Sequence, residues 1–235
     1  MINLSSRLRR IAEEVKPGET VADIGTDHGY LPIYLVDSGI SPRAILTDIS
    51  PGSLEKAKRD AESFLERSGR VSFRLGDGLD VIAPGEVDVI VIAGMGGLQM
   101  IDILGREPQK SRSFSCFLLQ PRTKSGELRA WLRNHGCEIR KEQIVREGKH
   151  LPVILTAVYT GNPDPAPYSA EDDFPGREAV NAGTPEPLIR EFFEREQKKY
   201  EAILRSIRTH GSDETDAEAA KERLRVIETR IGEMV

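Results

Sequence analysis

The sequence predicts an α/β protein: a doubly wound, mostly parallel sheet of seven strands followed by a C-terminal α-helical hairpin. Short apolar runs alternate with segments of helical period up to about residue 160, the pattern of repeated βα units. Small-residue turns holding a carboxylate follow the first and third runs, at Gly25-Thr26-Asp27-His28-Gly29 and Gly76-Asp77-Gly78. Beyond a proline-rich stretch, two long apolar stripes recur at helical spacing, and these predict the hairpin.

Taken in order, Leu4, Leu8, Ile11 and Val15 mark a first helix, which Pro17-Gly18 closes. A strand over 20–24 runs into the first glycine turn and then a helix over 30–38. Residues 44–46 make a short strand that ends in Asp48, and a helix over 53–67 leads to a third strand over 71–75. A strand over 87–92 ends in Ala93-Gly94-Met95-Gly96-Gly97, where a helix over 97–104 begins. The strand over 114–119 delivers Gln120-Pro121-Arg122 before a helix over 125–135. Segments 138–145 and 153–159, with Gly148 turning between them, read as a hairpin that finishes the sheet, so the last strand is expected antiparallel.

Six of the fourteen prolines fall at Pro163, Pro165, Pro167, Pro175, Pro185 and Pro187, a composition that continues neither helix nor strand and reads as a connection over the surface. Leu188, Phe192, Phe193, Tyr200, Ile203, Leu204 and Ile207 then form one stripe, and Ala220, Leu224, Ile227, Ile231 and Met234 another, with a turn over 210–216. Two helices joined by a short polar loop fold back on each other. The expected organisation is a sheet domain over 1–160, a linker over 161–187 and a hairpin domain over 188–235.

Composition narrows the class. A chain of 235 residues with 38% hydrophobic content holds one good core and a smaller appendage. The longest apolar stretch, 87–104, is interrupted by Asp88, Gln99, Asp102 and three glycines, so no membrane span is expected. Cys116 and Cys137 lack CxxC spacing and read as reduced, buried thiols of a cytoplasmic protein, with neither metal nor disulfide implied. A monomer is the expected state. The net charge of −5 weighs against a bulk polyanion partner, but the acidic excess lies beyond residue 160. Arg7, Arg9, Arg10, Arg106, Lys110, Arg112, Arg122, Lys124, Arg129 and Arg133 are therefore expected as a basic rim, to which Arg195, Lys198, Lys199, Arg205 and Arg208 of the hairpin add unless their neighbouring glutamates neutralise them.

The first glycine turn says most about chemistry. Such a turn lets backbone N–H groups approach a ligand, and Asp23 adds a carboxylate at the strand tip, so a nucleoside cofactor is expected; the competing reading is a plain βα connection. A dinucleotide fingerprint needs three glycines in G-x-G-x-x-G, whereas here Asp27 stands between Gly25 and Gly29. A carboxylate repels a pyrophosphate and attracts the α-amino group and sulfonium of S-adenosylmethionine. Asp48 follows Asp23 by about twenty-five residues, where a nucleotide-binding βαβ unit places an acid for the ribose hydroxyls; the competing reading is a solvated loop residue. Asp77 repeats the pattern at a third strand end. Met95, in its glycine turn, either rests against a base or fills core. Gln120 both donates and accepts, which suits an adenine edge, and Arg122 is placed to hold a phosphate. Seven strands with an antiparallel last one suit a class I methyltransferase better than a dehydrogenase.

Leu4-Ser5-Ser6-Arg7-Leu8, Ala22-Asp23-Ile24-Gly25-Thr26-Asp27-His28-Gly29-Tyr30-Leu31-Pro32, Gly76-Asp77-Gly78-Leu79, the segment 92–97 and Leu119-Gln120-Pro121 together resemble the bacterial TrmK family of tRNA (adenine-N1)-methyltransferases, along the whole chain. The resemblance implies a Rossmann-like catalytic domain, a coiled-coil-like helical domain, S-adenosylmethionine as cofactor, and N1 of adenine 22 in tRNA as target. The predicted cofactor contacts are Asp23, Gly25, Asp27, His28, Gly29, Asp48, Ile49, Asp77, Gly78, Gly94 and Met95; the predicted substrate contacts are Arg7, Gly96, Gln120 and Arg122. Asp27 is the candidate catalytic carboxylate, stabilising charge that develops on the purine, with binding of the cofactor's amino group an equal alternative. His28 either meets the base or is satisfied at the helix start. A methyltransferase for a small molecule or protein, and a noncatalytic module that recruits a partner through the hairpin, are the competing functions.

Overall fold

The computed structural model describes residues 2–64, 69–177, 180, 183–210 and 214–234. Strands β1 (Val21–Ile24), β2 (Ala44–Asp48), β3 (Val71–Leu75), β4 (Val89–Met95), β5 (Cys116–Pro121), β6 (Cys137–Ile144) and β7 (Val153–Tyr159) form one sheet in the order β3-β2-β1-β4-β5-β7-β6. β1 pairs in parallel with both β2 and β4, and β7 runs antiparallel between β5 and β6, as expected of the closing hairpin. The apolar runs of β1, β2, β4 and β5 are buried on both faces, which is why they read as near-continuous hydrophobic sequence.

Helices α1 (Ser6–Glu14) and α2 (Tyr30–Asp37) cover one face; α4 (Gly97–Gly105) and α6 (Ser125–Asn134) cover the other. The period of two sorts β4 between them: Val89 and Val91 pack with Ile11, Leu31 and Leu35, while Ile90 and Ile92 pack with Met100, Leu104 and Leu128. Ser5 caps α1 by accepting from the Leu8 N–H at 3.4 Å. The chain leaves β1 toward β2 on one side and meets β4 on the other, so the C-terminal ends of β1 and β4 flank the crevice where open α/β sheets bind ligands.

The hairpin is α7 (Glu186–His210) against α8 (Glu214–Gly232); of the expected turn, residues 211–213 lie outside the described residues. Its base is seated on the sheet domain through a cluster of Ile144, Phe174, Val180, Ile189, Phe193 and Ile227. The expected helix over 53–67 is α3 (Pro51–Phe64), and residues 65–68 lie outside the described residues.

Several expectations need correction. β4 continues to Met95, because a bulge between Ala93 and Met95 lets Met95 pair with Pro121. The four-residue α5 (Pro108–Ser111) is too short to show a period. The proline-rich segment is more than a surface connection: it forms a 3-10 helix, Ala170–Asp173, with Asp172 buried, and it buries Phe174 under α7. The basic rim fails in part, since charge alone does not tell a solvated cation from a paired one. Arg129 is buried on Glu142 at 2.7 Å, Arg133 is paired with Asp172, and Lys110 is buried beside Glu107 at 2.6 Å. Arg106 is held by Asp77 at 2.7 Å and Asp102 at 2.6 Å, and Lys124 by Glu127 at 2.6 Å. On the hairpin, Arg195 and Lys199 are neutralised by Glu191 and Glu196.

Candidate active site

The turn after β1 is built around two left-handed glycines. Gly25 has φ +74°, and a Cβ there would stand 2.1 Å from Met95 Cε; Gly29 has φ +70°, and its Cβ would stand 2.5 Å from Leu46 Cδ2. Side chains are excluded at both, so the turn stays tight on the sheet. Asp27 also adopts a left-handed conformation, φ +48°, which a short polar residue tolerates best. Four of the turn's five amides are bonded internally. Gly25 and Thr26 N–H both donate to the Thr47 carbonyl at 2.9 Å, Gly29 N–H to the Thr26 carbonyl at 2.9 Å, and Asp27 N–H to Asp48 Oδ2 at 3.3 Å. An anion would find these four donors taken, while the carboxylates around them remain to meet a cation or hydroxyls.

Asp23 is the buried member of that set. Burial pushes its carboxyl up to about 6; the hydrogen bond from Thr26 Oγ1, 2.6 Å, and the charge of Arg7 pull it back, and Asp48 pushes it higher. Asp48 sits at the tip of β2, where Oδ1 accepts from the Ser50 N–H at 2.8 Å. Its neighbour Ile49 is an exposed large apolar side chain on this rim. Gly76 N–H donates to the Asp48 carbonyl at 3.1 Å and joins the β3 turn to the same edge, but Asp77 itself is committed to Arg106. Gly78 backs onto Ile103 of α4. Asp27 is exposed, with Lys56 Nζ 3.6 Å away. His28 is satisfied by Asp60 of α3, Nδ1 to Oδ2 3.1 Å, and stacks on Tyr30.

Beside this rim, the ends of β4 and β5 open into a groove of about 620 Å³ whose lining includes Arg7, Gly94, Gln120, Arg122, Glu147 and His150. Gly94 opens onto free space, and Met95 ties the groove to the turn by lying over Gly25. Gly96 starts α4 in an extended conformation. Arg7 Nη1 donates to Gln120 Oε1 at 3.1 Å, and Gln120 Nε2 donates to the Pro121 carbonyl at 3.0 Å. Arg7 Nε also lies 3.3 Å from Glu147 Oε2. Arg122 donates its backbone N–H to the Met95 carbonyl at 2.8 Å.

The structure thus brings together Asp23, Gly25, Asp27, Gly29, Asp48 and Met95 at one rim, with Arg7, Gly94, Gln120 and Arg122 in the adjoining groove. It directs Asp77 to Arg106 and His28 to Asp60. Sequence reasoning did not single out Thr26, Lys56, Glu147 or His150. Thr26 was signalled by its place in the turn; the others join the site only through the fold. Among the described residues there is no cluster of His, Cys, Asp and Glu suited to a metal, and no helix long and apolar enough to cross a membrane.

A sheet of this order with an antiparallel β7, carrying carboxylates at successive strand ends beside a polar groove, defines a class I methyltransferase fold. Residues 4–155 match the family model described as methyltransferase domain. The chain belongs to that methyltransferase family. Over 158 residues it is 39% identical to the tRNA (adenine(22)-N(1))-methyltransferase of Bacillus subtilis (strain 168), an alignment covering 66% of this chain and 65% of that relative's length. The structure of M. capricolum TrmK in complex with S-adenosyl-homocysteine is similar with a TM-score of 0.81 and 26% identity, over 99% of each chain. The crystal structure of the B. subtilis M1A22 tRNA methyltransferase TrmK is similar with a TM-score of 0.79 and 27% identity, over 98% of this chain and 100% of that one.

Proposed function

We propose that this protein transfers a methyl group from S-adenosylmethionine to N1 of an adenine in tRNA, adenine 22 by its likeness to relatives so named. The observation that carries the proposal is the rim of Asp23, Asp27 and Asp48, around a turn in which the Gly25, Thr26, Asp27 and Gly29 amides are bonded internally, set beside the groove of Arg7 and Gln120. Carboxylates gathered at such a turn suit an ammonium group and a ribose diol better than a pyrophosphate, so the residues present fit this cofactor. When bound, S-adenosylmethionine supplies an electrophilic methyl group.

In this reading Asp23 and Asp27 hold the cofactor's α-amino end, Asp48 takes the ribose hydroxyls, and Ile49 lies against the adenine of the cofactor. Gly25, Gly29 and Gly94 keep side chains out of the cradle, while His28, Asp77, Gly78 and Met95 border it. Arg7, Gly96, Gln120 and Arg122 contact the substrate. Adenine N1 carries an in-plane lone pair, so the chain's task is alignment and no strong base is needed. With the cofactor bound, the N1 lone pair would form the new N–CH3 bond and the S–CH3 electron pair would return to sulfur. Positive charge then appears on the purine, where a carboxylate stabilises it; Asp27 is the residue assigned to this or to the amino group. The target base must leave its stack, at a cost of about a few kcal/mol.

The same reading divides the chain into a catalytic domain over 1–160, a linker over 161–187 and a hairpin domain over 188–235, acting as a monomer on cytoplasmic tRNA. Incubation with isotopically labelled cofactor and unmodified tRNA, followed by mapping of the modified nucleotide, tests it. Label on an adenine at position 22 is expected; label on a pyrimidine, or on protein alone, overturns the assignment.

A further inference from the structure

We propose that Glu147 is the residue that recognises the exocyclic N6 amino group of the target adenine and stabilises the charge that reaches it. The inference rests on the proposed adenine-N1 reaction and deepens it. Glu147 precedes β7 and is brought to the groove by a tight turn in which Glu147 and His150 exchange backbone hydrogen bonds at 3.0 Å. The groove lined by Arg7, Gly94, Gln120 and Arg122 contains two carboxylates, Glu147 and Glu196. Glu196 is neutralised by Lys199 at 2.7 Å. Among the described residues Glu147 pairs with Arg7 alone, and its Oε2 is buried against that guanidinium without hydrogen-bond geometry. The side chain is nevertheless 34% exposed, so its exposure belongs to Oε1 and the stem.

Arg7 fixes the chemical face of this corner. Its guanidinium holds Gln120 Oε1 at 3.1 Å, and Gln120 Nε2 gives one hydrogen to the Pro121 carbonyl at 3.0 Å, which leaves a second N–H on an amide that is 4% exposed and lines the groove. The corner therefore presents an acceptor, Glu147 Oε1, and a donor, Gln120 Nε2. An adenine shows the complement on its Hoogsteen edge, an N6–H donor and an N7 acceptor, and docking by that edge leaves N1 free for the methyl group. A guanine would turn its O6 acceptor on the carboxylate and be rejected. Once N1 is methylated the purine cation shares its charge with N6, so the N6–H to carboxylate bond strengthens as the reaction proceeds.

The test uses the full chain and tRNA assembled from synthetic pieces with either adenine or purine, which lacks the amino group, at the target position. Affinity for each tRNA is measured without cofactor, and turnover with it, for the natural protein, Glu147→Gln and Glu147→Ala. The natural protein is expected to bind the adenine tRNA about ten-fold tighter than the purine tRNA, Glu147→Ala to bind the two alike, and Glu147→Gln, whose amide oxygen still accepts, to keep a smaller preference. In turnover, the adenine-to-purine ratio is expected to fall by about ten-fold or more in Glu147→Ala and by less in Glu147→Gln. The ratio is compared between proteins, so the weaker nucleophilicity of purine N1 cancels, as does any loss of folded protein. Ratios unchanged by both substitutions overturn the role of Glu147. Failure of the natural protein to methylate the adenine tRNA at all overturns instead the reading on which it rests.

Discussion

Arg7 of α1 and Gln120 at the end of β5 stand 113 residues apart in the chain and meet in a 3.1 Å hydrogen bond, guanidinium to amide oxygen. The same guanidinium reaches Glu147 and lowers the carboxyl of Asp23, so one side chain addresses both the groove and the cofactor rim. Removing it leaves an amide and a carboxylate of the groove without their cation. Arg7→Ala is expected to lower kcat/KM for tRNA about 10–100-fold, the range for losing charge-assisted hydrogen bonds of about 1.5–3 kcal/mol. Steady-state kinetics at saturating cofactor checks this; an unchanged kcat/KM for tRNA refutes it.

Asp23 is expected to make cofactor binding pH-dependent. Burial pushes its carboxyl up from the usual 3.8 to about 6 in the fold. The folded state thus holds a proton that the unfolded state releases, and the stability gained from it is full below about pH 4 and lost as pH rises through 6. Ionised Asp23 therefore costs the ligand-free protein about 3 kcal/mol at neutral pH, and Asp23→Asn should raise Tm at pH 7.5 but not at pH 4. A cationic ligand reverses the preference. Cofactor affinity measured by calorimetry should weaken as pH falls below 6, with proton release on binding at pH 5.5, and Asp23→Asn should abolish both effects.

Gly25 combines a left-handed backbone with a close approach of Met95. Gly25→Ala adds a Cβ 2.1 Å from Met95 Cε at φ +74°. Strain of this kind costs about 1–3 kcal/mol. Thermal unfolding should show that loss, calorimetry should show cofactor affinity falling with it, and Met95→Ala should recover part of the stability but not the φ penalty.

The buried Arg129–Glu142 pair ties α6 to β6, and Glu142 Oε2 also accepts from the Gly176 N–H at 2.5 Å, beyond the 3-10 helix. Glu142→Ala leaves a buried guanidinium without its partner, at a cost of about 3–5 kcal/mol. Chemical denaturation should show the loss, while cofactor affinity of the folded protein stays unchanged because the pair lies outside the rim.

Much of this molecule is readable where the signal is local. The apolar runs of β1, β4 and β5 and the glycine turn after β1 reveal the sheet, its ligand edge and the acids on it, because each depends on residues adjacent in sequence. The groove is harder to read, since Arg7, Gln120 and Glu147 converge only when α1, β5 and the β6–β7 turn are in place. Arg129 and Arg133 show the limit from the other side. Their charge suggests a nucleic-acid rim, yet Glu142 and Asp172, from distant segments, draw both inward. His28 likewise belongs to Asp60, a partner 32 residues away that no local pattern indicates.

Methyl transfer to adenine N1 is read directly on the nucleoside product. Unmodified tRNA is incubated with the protein and S-adenosylmethionine bearing a trideuterated methyl group, digested to nucleosides, and analysed by chromatography and mass spectrometry. The expected product is trideuterated 1-methyladenosine, absent when Asp23→Asn replaces the natural protein. Label appearing only as N6-methyladenosine, or no labelled nucleoside while the cofactor is bound, would contradict the account.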